Sequence, residues 1–129
     1  MLTVQSPGGA LAEVRSDLFI RRRGGEELYF EIKTPDPNKG QCKTMKRDML
    51  TIAALRKGHR AEAYAACAYN PGGDDAAFRN NFVAQFLEIP ADIIVGRAFW
   101  ELIGESGTYD ELLEIAAEVG GSVRPLLPH

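Results

Sequence analysis

Apolar and polar residues alternate along two short segments near the start of the chain. The first covers residues 17–22, and the second covers residues 27–33 with Leu28, Phe30 and Ile32 on one side. A period of two is typical of a strand in a sheet with one buried face. We therefore expect two strands, the second of which buries these three apolar side chains.

A glycine-containing loop at residues 23–25 joins the two predicted strands. Three loop residues with glycine in the left-handed position suit an antiparallel hairpin. In that register apolar residues face apolar residues and opposite charges face each other, whereas a two-residue loop would set Leu18 against Glu31. The three-residue loop is favoured. Its single unfavourable pair is Asp17 opposite Glu31, because like charges across a strand pair repel.

Downstream of the hairpin the apolar pattern becomes helical. A proline-rich turn at residues 34–38 ends the second strand. Helices are then predicted at about 39–57, 75–88, 92–103 and 109–119, with a buried strand at 61–69. Thr108 and Glu111 are predicted to form a capping box for the last helix, and Gly120 to end it. The order β-β-α-β-α-α-α indicates the α/β class.

The length of 129 residues suits a single domain. We expect it to cover residues 1–129, with a loose arm at 1–14 and a C-terminal tail at 121–129. The apolar runs are too short for a membrane helix, so no membrane partner is expected. Cys42 and Cys67 form neither a CxxC pair nor a cluster with histidines. This excludes a disulfide framework and a structural zinc site, and it fits a cytoplasmic location.

Charge is distributed unevenly along the chain, whose net charge is −3. Residues 15–60 hold 12 of the 15 Lys and Arg residues and have a local balance of +6, whereas residues 61–129 have a balance of −8. Such a basic segment can form a phosphate-facing patch on an acidic protein. Within it the first predicted helix carries a basic stripe that faces either DNA phosphates or solvent, formed by Lys39, Lys43, Lys46 and Arg47.

Asp17, Glu31 and Lys33 form the constellation with the clearest chemical meaning. Glu31 and Lys33 are two residues apart on one strand and hence on one face, while Asp17 opposes Glu31 across the hairpin. Two converging carboxylates require a cation, and their hard oxygen atoms favour Mg²⁺, with Mn²⁺ as a substitute. Such a metal suits phosphodiester hydrolysis, in which Lys33 would orient the attacking water. A surface ion network is the alternative interpretation.

Several segments around and beyond these residues resemble one family. They are SDLFI at 16–20, YFEIKTPDPNKGQ at 29–41 and VGRAFWELIGESGTYDELLEIAAEVG at 95–120, of which EIKTPDPNKGQ combined with FWELIG and GTYDELL is the most specific part. Together with the helix KTMKRDML and with AYNP at 68–71, they resemble the PD-(D/E)xK nuclease superfamily and, within it, the TdeIII-type type II restriction endonucleases. The resemblance extends from residue 16 to residue 120.

The resemblance implies a mixed, restriction-endonuclease-like β-sheet flanked by helices. It also implies Mg²⁺-dependent cleavage of double-stranded DNA in restriction–modification, often by a homodimer. Carried over by position, Asp17 and Glu31 would be metal ligands and Lys33 the catalytic lysine. Gln41, at the start of the following helix, would contact the scissile phosphate or the metal's waters, or would simply cap the helix.

Two departures from that family leave other functions open. Ser16 stands where the motif has proline, and only 16 residues precede Asp17, where such enzymes carry a further helix and strand. We therefore expect the N-terminal part of the core to be missing or reduced: either the chain is a truncated form, or it is a reduced relative that forms a homodimer to complete its core. The alternatives are a structure-selective nuclease of the same superfamily, and a catalytically incomplete DNA-binding or interaction module.

Overall fold

Four strands and four α-helices make up the part of the chain that the computed structural model describes, residues 13–73, 78–89 and 91–127. In chain order they are β1 (Leu18–Arg21), β2 (Glu27–Ile32), α1 (Lys39–Leu55), β3 (Ala61–Cys67), α2 (Asn81–Phe86), β4 (Ile93–Val95), α3 (Arg97–Ile103) and α4 (Thr108–Val123), followed by a 3₁₀ turn (Arg124–Leu126). The predicted α/β class is confirmed, since a mixed four-stranded sheet is flanked by helices. No helix in these ranges is both long and apolar enough to cross a membrane.

The β1–β2 hairpin has the predicted register. Leu18 pairs with Phe30 at the open end of the antiparallel ladder. The Arg22 backbone N–H donates to the Glu26 carbonyl oxygen at 2.8 Å, so three residues form the loop. The last of them, Gly25, has a φ of +89°, which glycine adopts without strain. The three-residue loop is therefore confirmed.

Strand β2 is an interior strand of the sheet, whose order is β1-β2-β3-β4. It pairs antiparallel with β1 and parallel with β3, and β3 pairs parallel with β4. The prediction of one buried face is wrong, because Tyr29 is buried with Val14 and Ile52 while Leu28 is buried in a separate cluster. Ile32, predicted inside, is 43% exposed. The alternation of apolar and polar residues in β2 indicated only one buried face. The other face, which carries Tyr29, is buried because helix α1 packs over it.

Helix α1 provides that cover by packing along the sheet. It begins at Lys39 as predicted and ends at Leu55, close to the predicted end. Its buried positions recur every three or four residues, the spacing of one helix face. The side chains that form the contact with β3 are Cys42, Met45 and Met49 from the helix and Ala65 and Cys67 from the strand.

The prediction of one helix over residues 92–103 is wrong, because its first residues form β4. This strand extends the sheet beside β3, with Ile93 and Ile94 in two different core clusters. Gly96 then turns the chain with a φ of +55°, and a Cβ there would lie 3.3 Å from the Asn70 backbone nitrogen. β-Branched residues favour strands once a neighbouring strand is present to pair with them.

Helix α2 is shorter than the predicted 75–88. Its N-cap is Asn80, whose side-chain oxygen accepts hydrogen bonds from two backbone N–H groups of the first turn. Asparagine suits this position because its side chain supplies an acceptor that the helix itself lacks there. Residues 74–77 and Pro90, the start and the stop of the predicted helix, lie outside the described residues.

Helix α4 continues past its predicted end at Gly120 and reaches Val123. Each glycine weakens a helix by about 1 kcal/mol without necessarily ending it, and both Gly120 and Gly121 lie inside α4, so residues 121–123 of the predicted tail are helical. The predicted capping box is wrong as well. The Thr108 hydroxyl instead accepts a hydrogen bond from the Glu105 backbone N–H at 2.9 Å.

The predicted arm at 1–14 lies mostly outside the described residues, which begin at Glu13. Val14 is only 4% exposed and packs against Tyr29 and Ile52. The last residue of the predicted arm is therefore part of the core.

Candidate functional site

The C-terminal end of β2 carries two of the predicted site residues in direct contact. Lys33 Nζ lies 3.2 Å from Glu31 Oε1, and the two side chains are 30% and 21% exposed. They share one face because they are two residues apart along a strand. The Lys33 backbone N–H donates to the Ala66 carbonyl oxygen at 2.9 Å, which attaches this end of β2 to β3. The pair is thus held on an interior strand.

Asp17 precedes β1 and lies beside the same end of β2. Its Oδ2 atom accepts a hydrogen bond from the Ile32 backbone N–H at 2.8 Å, and its own N–H donates to the Phe30 carbonyl oxygen at 2.9 Å. The Asp17 side chain thereby accepts the hydrogen bond that a backbone carbonyl of β1 would accept if the β1–β2 ladder continued. This fixes the orientation of an otherwise exposed carboxylate next to Glu31.

Asp48 is a further carboxylate at this site, which the sequence analysis missed. It projects from α1 into the small recess that Glu31 also lines, and it forms an ion pair of 3.5 Å with Arg47. A sequence signal was available. Asp48 is three residues after the buried Met45 and four before the buried Ile52, so it lies at the edge of the helix face that packs on the sheet.

The electrostatics of Glu31 reflect this concentration of negative charge. Burial is the largest influence, and it raises the pKa of Glu31. The hydrogen bond and charge of Lys33 act in the opposite direction, while the charges of Asp48 and Asp17 raise the pKa further. The net shift is upward. The contact with Lys33 therefore does not offset the combined effect of burial and the two neighbouring carboxylates.

The donor set fits a hard divalent cation. Asp17 and Glu31 supply carboxylate oxygens, and the raised pKa of Glu31 marks a place where added positive charge would be favourable. Within residues 13–73, 78–89 and 91–127, no group of three or more His, Cys, Asp or Glu side chains is arranged to hold a metal. Mg²⁺ commonly binds through one or two carboxylates, completing its shell with waters and phosphate oxygens.

Gln41 caps helix α1. Its Oε1 atom accepts a hydrogen bond from the Asn38 backbone N–H, while its own N–H donates to Asn38 Oδ1, both at 2.9 Å. This is the reciprocal capping box, in which two unpaired N–H groups of the helix start are satisfied. The sequence allowed Gln41 either to cap the helix or to contact a phosphate or a metal-bound water, and in the structure it caps the helix. Its side-chain amide nitrogen takes no part in the capping box and remains available as a donor.

The residues of the basic stripe on α1 differ in whether they are paired with carboxylates of the protein. Lys46 Nζ lies 2.7 Å from Asp92 Oδ2, and Arg47 is paired with Asp48. Lys43 Nζ lies 5.7 Å from the centre of the Phe86 ring, which places the first turns of α1 against α2. Lys39 is exposed. The N-terminal half of the stripe is therefore the half suited to an external anion.

A second charged group on β2, centred on Glu27, lies outside the predicted site. Glu27 is 3% exposed, and Arg56 approaches its two carboxylate oxygens at 2.6 and 3.1 Å. Tyr29 and Arg21 also donate to it, at 3.2 and 3.5 Å. The sequence register paired Glu27 with Arg21 but missed Arg56, which follows α1.

Comparison with known proteins places the chain in a family. A model of the HinfI type II restriction endonucleases matches residues 6–120. The chain is 44% identical over 110 residues to the type II restriction enzymes HgiCII and HgiEI, and 43% identical to HgiBI, all from Herpetosiphon aurantiacus. Each alignment covers 83% of this chain and 40% of the relative. No solved structure matches.

These matches confirm the predicted resemblance to type II restriction endonucleases, with the HinfI type as the matching family; the narrower likeness to the TdeIII type stays a prediction. The chain spans about 40% of the length of the curated relatives. The match over residues 6–120 includes the whole hairpin, α1 and the sheet, so the candidate site lies inside the shared region. The chain therefore belongs to the HinfI family of type II restriction endonucleases.

Proposed function

We propose that the chain acts as a Mg²⁺-dependent endonuclease that hydrolyses phosphodiester bonds in double-stranded DNA, with a PD-(D/E)xK centre formed by Asp17, Glu31 and Lys33. One observation carries the proposal. The Glu31–Lys33 contact of 3.2 Å lies at the end of β2, where the Asp17 carboxylate is fixed beside it by the Ile32 N–H. The role that goes with this activity is restriction–modification. The location that goes with it is the cytoplasm, where the enzyme would meet invading DNA.

Asp17 and Glu31 are the residues that would hold Mg²⁺, or Mn²⁺ in its place. The hydrogen bond from Ile32 limits the rotation of the Asp17 carboxylate, so little conformational freedom is lost when it binds a cation. When bound, the metal polarises the phosphate and makes a coordinated water more acidic. Asp48 adds negative potential to the site from α1 and thereby favours cation binding.

Lys33 would position the attacking water and offset the negative charge that develops on the phosphate. Its side chain is 30% exposed, so substrate can reach it, and its contact with Glu31 orients the ammonium group toward the carboxylates. A fixed positive group close to developing charge lowers the barrier because it needs no reorganisation during the reaction. Gln41 could offer its amide nitrogen to the phosphate or a metal-bound water while its oxygen caps α1.

Lys39 and Lys43 would contact the DNA backbone. Both lie in the N-terminal half of α1, near the proline-rich loop that follows Lys33. Lys46 and Arg47, although part of the same stripe, are already paired with carboxylates of the protein and would contribute less. Contacts to phosphates release counterions, so we expect binding to weaken steeply as the salt concentration rises.

A homodimer is part of the proposal, supported by the unpacked face of α4. Beyond its first turn this helix exposes an apolar stripe of residues spaced four apart, Ile115, Val119 and Val123, each 40–56% exposed, while Glu114 and Glu118 lie together on an adjacent, acidic face. An antiparallel second copy would bury both stripes around a two-fold axis. It would also bring Arg124 near the acidic first turn of the other helix.

Light scattering tests the dimer. Val119→Lys places a charge in the stripe and should convert the dimer to a monomer. Glu118→Lys, one residue away on the acidic face, is the matched control and should leave the dimer intact. A wild-type chain that stays monomeric at high concentration would contradict this part of the proposal.

Nicking of supercoiled plasmid tests the enzymatic function. Lys33→Ala should slow Mg²⁺-dependent nicking by about 10²–10³-fold, the usual loss for a donor that stabilises transition-state charge. Glu31→Ala should weaken binding of Mg²⁺ or Mn²⁺ itself, measured by titration. Lys57→Ala, an exposed lysine in the turn after α1, is the control and should behave like the wild type.

The outcomes separate the function from its alternatives. Equal metal affinity and equal nicking in all three variants and the wild type would leave Glu31 and Lys33 as an ordinary ion pair. Duplex binding without nicking at any metal concentration would indicate a binding module. Nicking confined to branched DNA would indicate a structure-selective nuclease.

A further inference from the structure

The segment Arg79–Phe82 is attached to the loop that follows Lys33. Asn80 Nδ2 donates to Asp36 Oδ1 at 3.1 Å, and Asp36 lies between two buried prolines of that loop. The other end of the same amide, Asn80 Oδ1, accepts the N–H groups of the α2 first turn at 2.9 and 3.0 Å. Asn80 therefore holds its two neighbours in a defined position relative to the proline-rich loop.

The side chains on either side of Asn80 line an open recess with Asp36. Arg79 and Asn81 are exposed, and Phe82 is 42% exposed. Arginine and asparagine are the side chains that pair with two atoms of a guanine or an adenine edge, and an aromatic ring can contact a thymine methyl group. The Asp36 carboxylate would repel phosphates but can accept a hydrogen bond from cytosine. This mixture suits base edges better than the DNA backbone.

The recess lies within a few base pairs of the candidate centre. Asp36 is three residues after Lys33, and three residues of chain span at most about 11 Å. Base pairs in a duplex are separated by about 3.4 Å. On the other side, the Lys43–Phe86 contact holds α2 against the part of α1 suited to phosphates. A duplex with one phosphate at Lys33 and its backbone along α1 would present a groove to Arg79–Phe82.

From this geometry we infer that the segment Arg79–Phe82 reads the sequence of the DNA. Arg79 and Asn81 contact base edges in the major groove next to the scissile phosphate, and Asn80 is a positioning residue that holds them through Asp36. The inference rests on the proposed endonuclease function, to which it adds a specificity-determining element.

Sequencing the ends of fragments cut from a random duplex pool by the full chain in Mg²⁺ tests the inference. The wild type should show base preference at fixed positions. Arg79→Ala and Asn81→Ala should each lose about 5- to 150-fold of that preference at one position, the range for one bidentate base contact. Arg23→Ala, an exposed arginine in the hairpin loop at the other end of β2, is the matched control and should keep the wild-type preference.

A charge swap tests the positioning role of Asn80. Asn80→Asp keeps the helix cap but sets a carboxylate against Asp36, so we expect base preference to be reduced throughout. Adding Asp36→Asn restores a donor and an acceptor across the same 3.1 Å contact and should recover the preference. A purely structural role would change stability in Asn80→Asp without changing which bases are selected, and that result would overturn the positioning role.

The salt dependence of duplex binding distinguishes base contacts from phosphate contacts. Arg79→Ala should leave the slope of log affinity against log salt unchanged; a slope reduced by about 1, with equal weakening on all sequences, would identify a phosphate contact and overturn the inference. If the wild type cuts with a base preference that survives in both alanine variants, the inference is wrong and the proposed function stands. If the wild type neither binds nor cuts any duplex, both are wrong.

Discussion

Two glutamates on the same face of β2, four residues apart, have opposite surroundings. Glu27, at the start of the strand, is 3% exposed and receives hydrogen bonds from Arg56, Tyr29 and Arg21. Glu31, near its end, has the one cationic partner Lys33 and is close to two other carboxylates. Burial acts on both to raise the pKa, and only at Glu27 do the partners outweigh it and bring the pKa below its ordinary value.

The difference separates a charge network completed within the protein from the proposed metal site. Three side chains donate hydrogen bonds to the Glu27 carboxylate, so its charge is compensated within the fold. At Glu31 negative charge exceeds positive charge, which the fold tolerates only at some cost in stability. Such an excess is expected where a cation and a phosphate bind, because the missing charge is supplied by the ligand.

The largest expected effect in this comparison comes from removing the main partner of Glu27. Arg56→Ala leaves a buried carboxylate with only Tyr29 and Arg21, and we expect it to lower the free energy of unfolding by about 3 kcal/mol. Chemical denaturation measures this change. Lys57→Ala, the exposed neighbour, should change it by less than about 0.5 kcal/mol. If Arg56→Ala lowered the free energy of unfolding no more than Lys57→Ala does, Glu27 would not be stabilised by its partners as this comparison requires.

Neutralising each glutamate should have effects of opposite sign. Glu27→Gln removes the charge that Arg56 and Arg21 require, so the protein should be destabilised. Glu31→Gln removes a charge disfavoured by burial and by neighbouring carboxylates, so stability should rise, by less than about 1 kcal/mol at this partly exposed position. Denaturation midpoints for both variants measure the signs. Equal destabilisation would mean that Glu31 is as well compensated as Glu27.

The smallest expected effect is the pH dependence that Glu27 contributes. Its pKa in the folded protein is below the ordinary value of 4.5, so the folded state binds fewer protons than the unfolded state in that range. This contribution is therefore present above about pH 4.5 and is lost as the pH falls toward the lowered pKa. Thermal melts between pH 7 and pH 3 should show a wild-type advantage over Glu27→Gln that shrinks on acidification. An advantage constant across that range would contradict the assignment.

Local patterning predicted a large part of the fold because neighbouring residues decide it. The hairpin register followed from a three-residue loop, and with it the approach of Asp17 to Glu31. The Glu31–Lys33 contact followed from the period of a strand. Helix α1 was predicted from its apolar spacing and from the turn before it. Each of these depends on contacts made within about twenty residues.

Contacts between distant segments were beyond such reasoning. Strand β4 is three residues long and becomes a strand only because β3 lies beside it to accept and donate hydrogen bonds. Asp48 comes near Glu31 only because α1 folds back over β2, and the same packing buries a face of β2 that alternation assigns to solvent. The attachment of Asn80 to Asp36 joins residues 44 positions apart.

The sequence by itself thus determined which chemical groups the chain offers and which short segments present them together: a carboxylate and a lysine on one strand face, with a second carboxylate across a hairpin. The tertiary structure decided which of the charged groups on β2 are neutralised. Arg56 reaches Glu27 from 29 residues away, and no corresponding cation reaches Glu31 among the described residues beyond Lys33. The physical reason is that charge compensation depends on distance in space, which packing alone sets.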